Sequence, residues 1–228
     1  MTEALKVSPS NIQVIRNWTH LKPTPPFDRA AMRQRLGWHD SEIIVLHAGN
    51  IGKKQGLENV LEAARLADER TSPVRFVLMG DGNQRKRLEA LATDLGSISF
   101  LDPVSSTDFP YALGAADVLL VNELPSVRDM SVPSKLTSYF NAGVAVVAAT
   151  DAGSVTADEL LASGGGLRID PADPNALLNA VEGLANDPEL SASLGARGLE
   201  FRNDTLSEAT AIRHYDELIT SLASSRGL

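Results

Sequence analysis

Three lysines and a serine stand where a phosphate-binding site would need them. Lys53 and Lys54 lie in the glycine-rich run Gly49-Asn-Ile-Gly-Lys-Lys-Gln-Gly56, and Ser134 and Lys135 lie in Ser131-Val-Pro-Ser-Lys-Leu-Thr-Ser138. Glycines at 49, 52 and 56 let backbone approach a ligand closely, and the two lysines put positive charge where a diphosphate could rest. Pro133 suits a helix start, because its fixed φ is already helical and its missing N–H costs nothing there. Ser134 can cap the free N–H groups, which point outward as an anion site, and Lys135 adds a point charge beside them. An ordinary capped helix after an ordinary glycine turn has the same spacing, so these two runs alone leave both readings open. Neither run is a Walker sequence, since no Gly-Lys-Ser/Thr occurs, and Gly49-x-x-Gly52 lacks the spacing of the dinucleotide fingerprint.

Two further segments could complete a ligand site. Gly80-Asp81-Gly82 follows an apolar run, as a turn beside a ligand would, although turn chemistry alone explains it. Phe100-Leu-Asp-Pro-Val104 ends another apolar run, and its backbone could pair with the edge of a nucleobase. Glu123, Arg128 and Asp129 fall in a polar stretch just before Pro133.

The elements that must carry these loops alternate regularly. Strands are expected at Glu42 to Ala48, Val74 to Met79, Ile98 to Leu101, Val118 to Val121, Val144 to Ala149 and Gly166 to Ile169. Helices are expected at Leu57 to Asp68, Asn83 to Leu95, Phe109 to Ala115, a short one ended by Gly143, and Thr156 to Ser163. Three helical segments close the chain, at Asn175 to Asn186, Pro188 to Phe201 and Thr205 to Ala223. Ahead of the first strand stand an extended piece at Ile12 to Ile15, a proline-rich passage from Lys22 to Phe27, and a short basic helix capped by Asp28. This pattern predicts a single doubly wound, Rossmann-like parallel sheet of the α/β class with extra C-terminal helices, and ligands at the carboxyl ends of its strands.

Composition narrows the function. At 228 residues and 43% hydrophobic content the chain can bury one large core or two small ones, so disorder is excluded. A net charge of -8 argues against nucleic acid or an anionic membrane as a general partner, so any anion site must be local. The absence of cysteine removes disulfides, thiolate metal sites and a cysteine nucleophile. His20, His39, His47 and His214 have no metal-ligand spacing and read as surface or structural residues, so no metal is expected. No stretch approaches the roughly 20 apolar residues of a membrane span, and the first residues lack the apolar core of a signal peptide. A cytoplasmic protein is expected, with attachment at the inner membrane through a partner left open.

Taken in order, these loops resemble the carboxyl-terminal half of a family 4 (group 1) glycosyltransferase of the GT-B fold. Ile12-Gln-Val-Ile-Arg-Asn-Trp18 resembles the family's lead into its second domain, and Gly49 to Leu57 with Ala63-Ala64 resembles its donor-diphosphate loop. Val77-Leu-Met-Gly-Asp-Gly82, Ala115-Ala-Asp-Val-Leu-Leu-Val121 and Val132-Pro-Ser-Lys135 with Gly143 continue the series. The Pro-Ser-Lys variant is similar to fucosamine-type transferases of bacterial surface-polysaccharide synthesis. The resemblance implies residues 1–40 as a lead-in segment and short helix at the domain boundary, 41–203 as a donor-binding domain and 204–228 as a C-terminal helix. It implies a retaining hexosyl- or N-acetylaminodeoxyhexosyltransferase, with a UDP- or GDP-linked sugar as substrate and no cofactor. The donor-binding residues it implies are Gly49, Asn50, Gly52, Lys53, Lys54, Gln55, Gly80, Asp81, Val104, Asp129, Ser134, Lys135 and Ser138; no catalytic residue is assigned.

Three departures qualify this. The family's usual arginine and lysine of the glycine loop fall on Asn50 and Gln55, so Lys53, Lys54 and Lys135 would have to substitute. The family's paired glutamates fall on Met130 and Ser138, and a hydroxyl accepts more weakly than a carboxylate. Third, the chain begins where the second domain of a full enzyme begins. It is therefore expected to hold a nucleotide-sugar but transfer little without an amino-terminal, acceptor-binding half, being either a fragment or one part of a split enzyme. Ala211, Tyr215, Leu218 and Leu222 form a helical stripe that faces either that half or the domain's own core. Two other functions stay open: a non-catalytic nucleotide-sugar-binding subunit, and another GT-B enzyme such as a sugar-nucleotide epimerase. The missing dinucleotide fingerprint argues against a dehydrogenase.

Overall fold

The computed structural model describes residues 8, 12–16, 18, 22, 24–125 and 134–225. Six strands form one sheet: β1 (Ile43–Ala48), β2 (Val74–Met79), β3 (Ile98–Leu101), β4 (Val118–Asn122), β5 (Val146–Ala149) and β6 (Gly166–Ile169). Every neighbouring pair is parallel, and the order is β3-β2-β1-β4-β5-β6. The chain runs outward from β1 to β3, then returns to the other side of β1, so the order reverses between β1 and β4. A crevice opens at such a reversal, outside the carboxyl ends of the strands.

The apolar runs become strands because both sheet faces are covered. Ile44, Leu46 and Ala48 of β1 join a core with Met32, Tyr139 and Phe140, while Val45 joins a second core with Val60, Ala64 and Leu177. That alternation is the strand's period of two. The covering helices are α1 (Arg29–Arg35), α2 (Glu58–Glu69), α3 (Arg85–Leu91), α4 (Phe109–Ala115), α5 (Ser134–Ala142), α6 (Val155–Ser163), α7 (Pro174–Asn186) and α8 (Pro188–Asp204), followed by α9 (Glu208–Ser225). Helix α2 packs on α7, α1 on α4, and α5 on α8. The expected single doubly wound α/β fold is the one observed. Helix α3 is shorter than its charged sequence suggests. It runs only from Arg85 to Leu91, and the Gln84 N–H just ahead of it is satisfied by the Ile51 carbonyl at 3.0 Å.

Helix α1 is tied to the sheet through a buried arginine. Arg33 donates to the carbonyls of Ala115, His39 and Glu42 at 3.2, 2.7 and 2.7 Å and to Asp117 Oδ2 at 3.0 Å. The same Asp117 oxygen accepts the Ile44 N–H at 2.7 Å, so one carboxylate links α1 to the start of β1. Helix α9 is anchored at its beginning by Ala211, 4% exposed, and then leaves the core: Ile212, Tyr215, Ile219 and Leu222 are 46–62% exposed. No helix among the described residues is long and apolar enough to cross a membrane.

At the carboxyl edge the loops continue the ladder past the strand ends. Gly49 N–H donates to Met79 O at 2.8 Å, Gly80 N–H to Leu101 O at 3.0 Å, and Ile51 N–H to Asp81 O at 2.8 Å. The first two loops come so close that Gly80, at φ +149°, has no room for a side chain: a Cβ would lie 1.8 Å from the Gly49 carbonyl oxygen. Gly80→Ala should therefore cost about 3 kcal/mol, or roughly 6–10 °C in Tm for a domain of this size. A thermal melt of the variant within 1–2 °C of the parent would show that the loops are not held in this register.

Candidate functional site

The glycine-rich run folds as a short 3-10 turn, Lys53–Gln55, between β1 and α2, and its bracing comes from amides. Gln55 Oε1 accepts the Gly52 N–H at 3.1 Å and one Asn50 Nδ2 proton at 3.4 Å. From beneath, Asn122 at the end of β4 donates to the carbonyls of Gln55 and Gly56 at 2.7 and 3.0 Å and accepts from Asn59 Nδ2 at 2.9 Å. The Leu124 N–H adds a bond to Lys54 O at 3.0 Å. Lys53 and Lys54 are thus presented, both exposed, on a turn fixed at its base.

Lys135 reaches the same place from the other side of the crevice. It is the second residue of α5, and its ammonium lies 2.8 Å from His47 Nε2. Its stem crosses Gly49, where a Cβ would stand 3.0 Å from Lys135 Cε. His47 is fully buried near the end of β1, with Nε2 also 3.4 Å from the Asn50 carbonyl. Burial, and then the Lys135 charge, push the His47 pKa down to about 3, against the pull of the Asn50 and Leu120 carbonyls. The ring is neutral at physiological pH, so the ammonium donates and Nε2 accepts. Burial also lowers Lys135 to about 8, while Glu123 acts in the opposite direction.

Glu123 follows β4 and is 6% exposed. Thr156 Oγ1 donates to its Oε1 at 2.8 Å and Thr150 Oγ1 donates to its Oε2; Thr150 in turn meets Ser154 Oγ, the N-cap of α6, at 2.8 Å. Beneath Lys135, Tyr139 packs its phenol against the end of β1, accepting the Ala48 N–H at 2.9 Å. Burial pushes that phenol well above its usual range.

The remaining expected residues distribute as follows. Asp81 accepts the Gly82 N–H at 2.7 Å and is exposed on the loop after β2, and Val104 lies half-buried after β3. Ser134 is the first residue of α5 and is exposed; the capping position before it falls outside the described residues, as do Pro133 and Asp129. Ser138 lies one turn along α5, half-buried. The topology therefore gathers Gly49 to Gln55, Gly80, Asp81, Val104, Ser134 and Lys135 at the carboxyl edge of the sheet. Such an edge, with three lysines, glycine-walled loops and the start of a nine-residue helix, is suited to an anion.

The family model described as glycosyl transferases group 1 matches residues 28–201. The chain belongs to that family. Among curated group 1 relatives, the Escherichia coli protein named as a colanic acid biosynthesis glycosyl transferase, WcaI, is 36% identical over 143 residues, covering 60% of this chain and 34% of its own. Anabaena HepE, solved in complex with UDP-glucose, superposes with a TM-score of 0.72 at 23% identity, over 87% of this chain and 54% of that one. The C-terminal domain of a group 1 protein from Francisella tularensis, LpcC, gives a TM-score of 0.66 at 18% identity, over 82% of this chain and 96% of that one. At these identities the structures establish the fold. The chain spans about a third to a half of the length of these curated relatives.

For a group 1 transferase, the departures at Asn50 and Gln55 acquire a structural meaning: the two amides bond to each other and close the turn, instead of pointing charge at a ligand. Two residues escaped the sequence reading of the site. His47 was grouped with structural histidines; its one signal was a polar ring inside an apolar strand, two residues before Gly49. Glu123 was placed only in a polar stretch, and nothing nearby reveals its threonine partners, 27 and 33 residues away.

The buried imidazole has a consequence for acid stability. Unfolded, it takes up a proton near pH 6.5; folded, it stays neutral down to about 3, so stability falls as pH drops through that window. The slope contributed is at most about 1.4 kcal/mol per pH unit. Urea unfolding at pH 6.5 and 5 should show the parent losing roughly 1.6 kcal/mol more than His47→Gln over this interval. Equal losses would mean that the ring titrates normally in the fold.

Proposed function

We propose that this chain is the donor-binding unit of a glycosyltransferase that moves a sugar from a nucleoside diphosphate onto an acceptor in bacterial polysaccharide or glycoconjugate synthesis. The observation that carries this reading is the meeting of Lys135 with the Gly49–Gln55 loop at the switch point of the sheet, with Lys53 and Lys54 on the same edge. HepE was solved with UDP-glucose, which supports a nucleotide-sugar donor here. The diphosphate would rest between the turn and the start of α5, with Ser138, Asp81 and Val104 bordering the nucleoside and sugar. In transfer, the bond between the anomeric carbon and the diphosphate oxygen breaks and the acceptor oxygen takes its place, with retention as in the family this chain resembles. Negative charge grows on the departing diphosphate, and fixed ammonium and N–H groups stabilise that charge more than the ground state.

The acceptor would be held by an amino-terminal half, in the same polypeptide or in a separate one. Support comes from α9, whose Ile212, Tyr215 and Ile219 are exposed along one helical face instead of covered by the domain's own core.

Calorimetry on the 228-residue chain should detect UDP or GDP and their sugar conjugates, and no free sugar. Lys53→Met with Lys135→Met should weaken binding by about 10- to 100-fold, the scale of lost charge-assisted contacts. Unchanged affinity would remove the phosphate assignment. A sugar-linked diphosphate has no ionisation between pH 6 and 9, so its pH dependence reports the protein. Lys135 binds an anion only when protonated; affinity should be level below about 8 and fall above it. Transfer from a labelled nucleotide-sugar, measured with and without an acceptor-binding half, separates an incomplete enzyme from a subunit that only binds. Robust turnover by this chain alone would overturn the half-enzyme reading.

A further inference from the structure

We propose that His47 is a positioning residue: it holds the Lys135 ammonium over Gly49, in the place where the donor diphosphate rests. This inference stands on the donor-site reading above and extends it to a residue inside the sheet.

Three observations converge. First, the contact is direct, 2.8 Å between Lys135 Nζ and His47 Nε2, across 88 residues of sequence. Second, the acceptor cannot move, because His47 lies within β1 with no exposed surface and its strand is paired on both sides. Third, the lysine stem lies against Gly49: a Cβ there would stand 3.0 Å from Lys135 Cε and crowd it, at a residue whose φ of +123° already favours glycine. Imidazole, glycine and stem form one clamp.

The chemistry of the pair fixes who donates. Two cations at this distance would repel, and the buried ring is the one that stays uncharged. A neutral ring that accepts at Nε2 carries its proton on Nδ1, a buried nitrogen with no hydrogen-bond partner, so the tautomer rests on the Lys135 contact alone. Lysine has three N–H donors. One is spent on His47, which leaves two for an anion at the mouth of the loop. A lysine on an exposed stem samples many rotamers before it meets a phosphate; this one is placed in advance, and pre-organisation of that kind appears as affinity. Glu123, at the end of β4, favours the charged form of the lysine, and Tyr139 beneath it is engaged with the backbone of Ala48. A residue that merely filled space at position 47 would need no acceptor atom.

The test pairs spectroscopy with binding, on the full 228-residue chain. Ring nitrogen NMR should show a neutral His47 protonated on Nδ1, unchanged from pH 5 to 8, and Lys135→Met should shift Nε2. In UDP calorimetry His47→Leu should lose about tenfold in affinity, as much as Lys135→Met, while His47→Gln, which restores an acceptor, should stay within about threefold. The double variant His47→Leu with Lys135→Met should bind no worse than Lys135→Met alone, because the two act as a unit. Wild-type affinity in a folded His47→Leu, additive losses in the double variant, or an Nε2 signal indifferent to Lys135 would each overturn the proposal. If His47→Leu does not fold, the Gln variant and the Lys135→Met spectrum still decide it. Failure of the unmodified chain to bind UDP or GDP would instead sink the donor-site reading, and the positioning role with it.

Discussion

Keeping the ammonium of Lys135 largely out of water is the constraint around which the carboxyl edge of this sheet is arranged. An isolated charge taken into a protein costs several kcal/mol unless polar groups replace its water. Here the replacement is a neutral imidazole on β1 in direct contact and a carboxylate at the end of β4, supplied by the two strands that flank the switch point. The glycine at 49 suits this packing, because its φ of +123° is one that other residues rarely adopt and a Cβ there would crowd the stem at 3.0 Å. The same requirement explains the threonine pair on Glu123. A buried carboxylate must itself be hydrogen-bonded, and Thr150 and Thr156 do this from the start and first turn of the next βα unit. Strand β1, strand β4, helix α5 and the β5–α6 junction are therefore coupled through one cation.

The other half of the crevice is built on amides instead of charges. Asn59, Asn122, Gln55 and Asn50 form a hydrogen-bonded chain from α2 through β4 to the tip of the turn. Neutral donors and acceptors brace a loop without the desolvation cost of ions, which leaves the loop's charge, Lys53 and Lys54, wholly on its outer side. Rigid base and mobile cations is a different division of labour from the buried lysine opposite.

The fold was legible because its signals are local. Each strand is a short apolar run and four of the helices have a start residue in their own sequence: Asp28, Ser154, Asp173 and Asp187 all accept a hydrogen bond from the first turn they precede. The edge that holds the site was legible too, since βα alternation places every such loop at the carboxyl ends. What stayed hidden are contacts between residues far apart in the chain. His47 with Lys135 and Glu123 with Thr156 span 88 and 33 residues, and no period or spacing encodes them. Helix α3 is shorter at both ends than its charged run suggests, and no side chain caps its start to mark the boundary.

These contrasts bear on how the family's usual cations can be exchanged for amides without losing an anion site. A phosphate feels the number of positive groups within reach, but also how much order each must gain on binding. Lys53 and Lys54 sit on exposed stems and must surrender rotamer freedom, of order 1–2 kcal/mol each, to hold a ligand. Lys135 has already surrendered it in folding, against His47 and Gly49, in a setting where solvent screens less. One prepaid cation in a sheltered crevice can therefore replace more than one exposed cation. Substitution of charge by Asn50 and Gln55 on the turn is then compatible with an intact site, provided that the clamp on the facing helix holds.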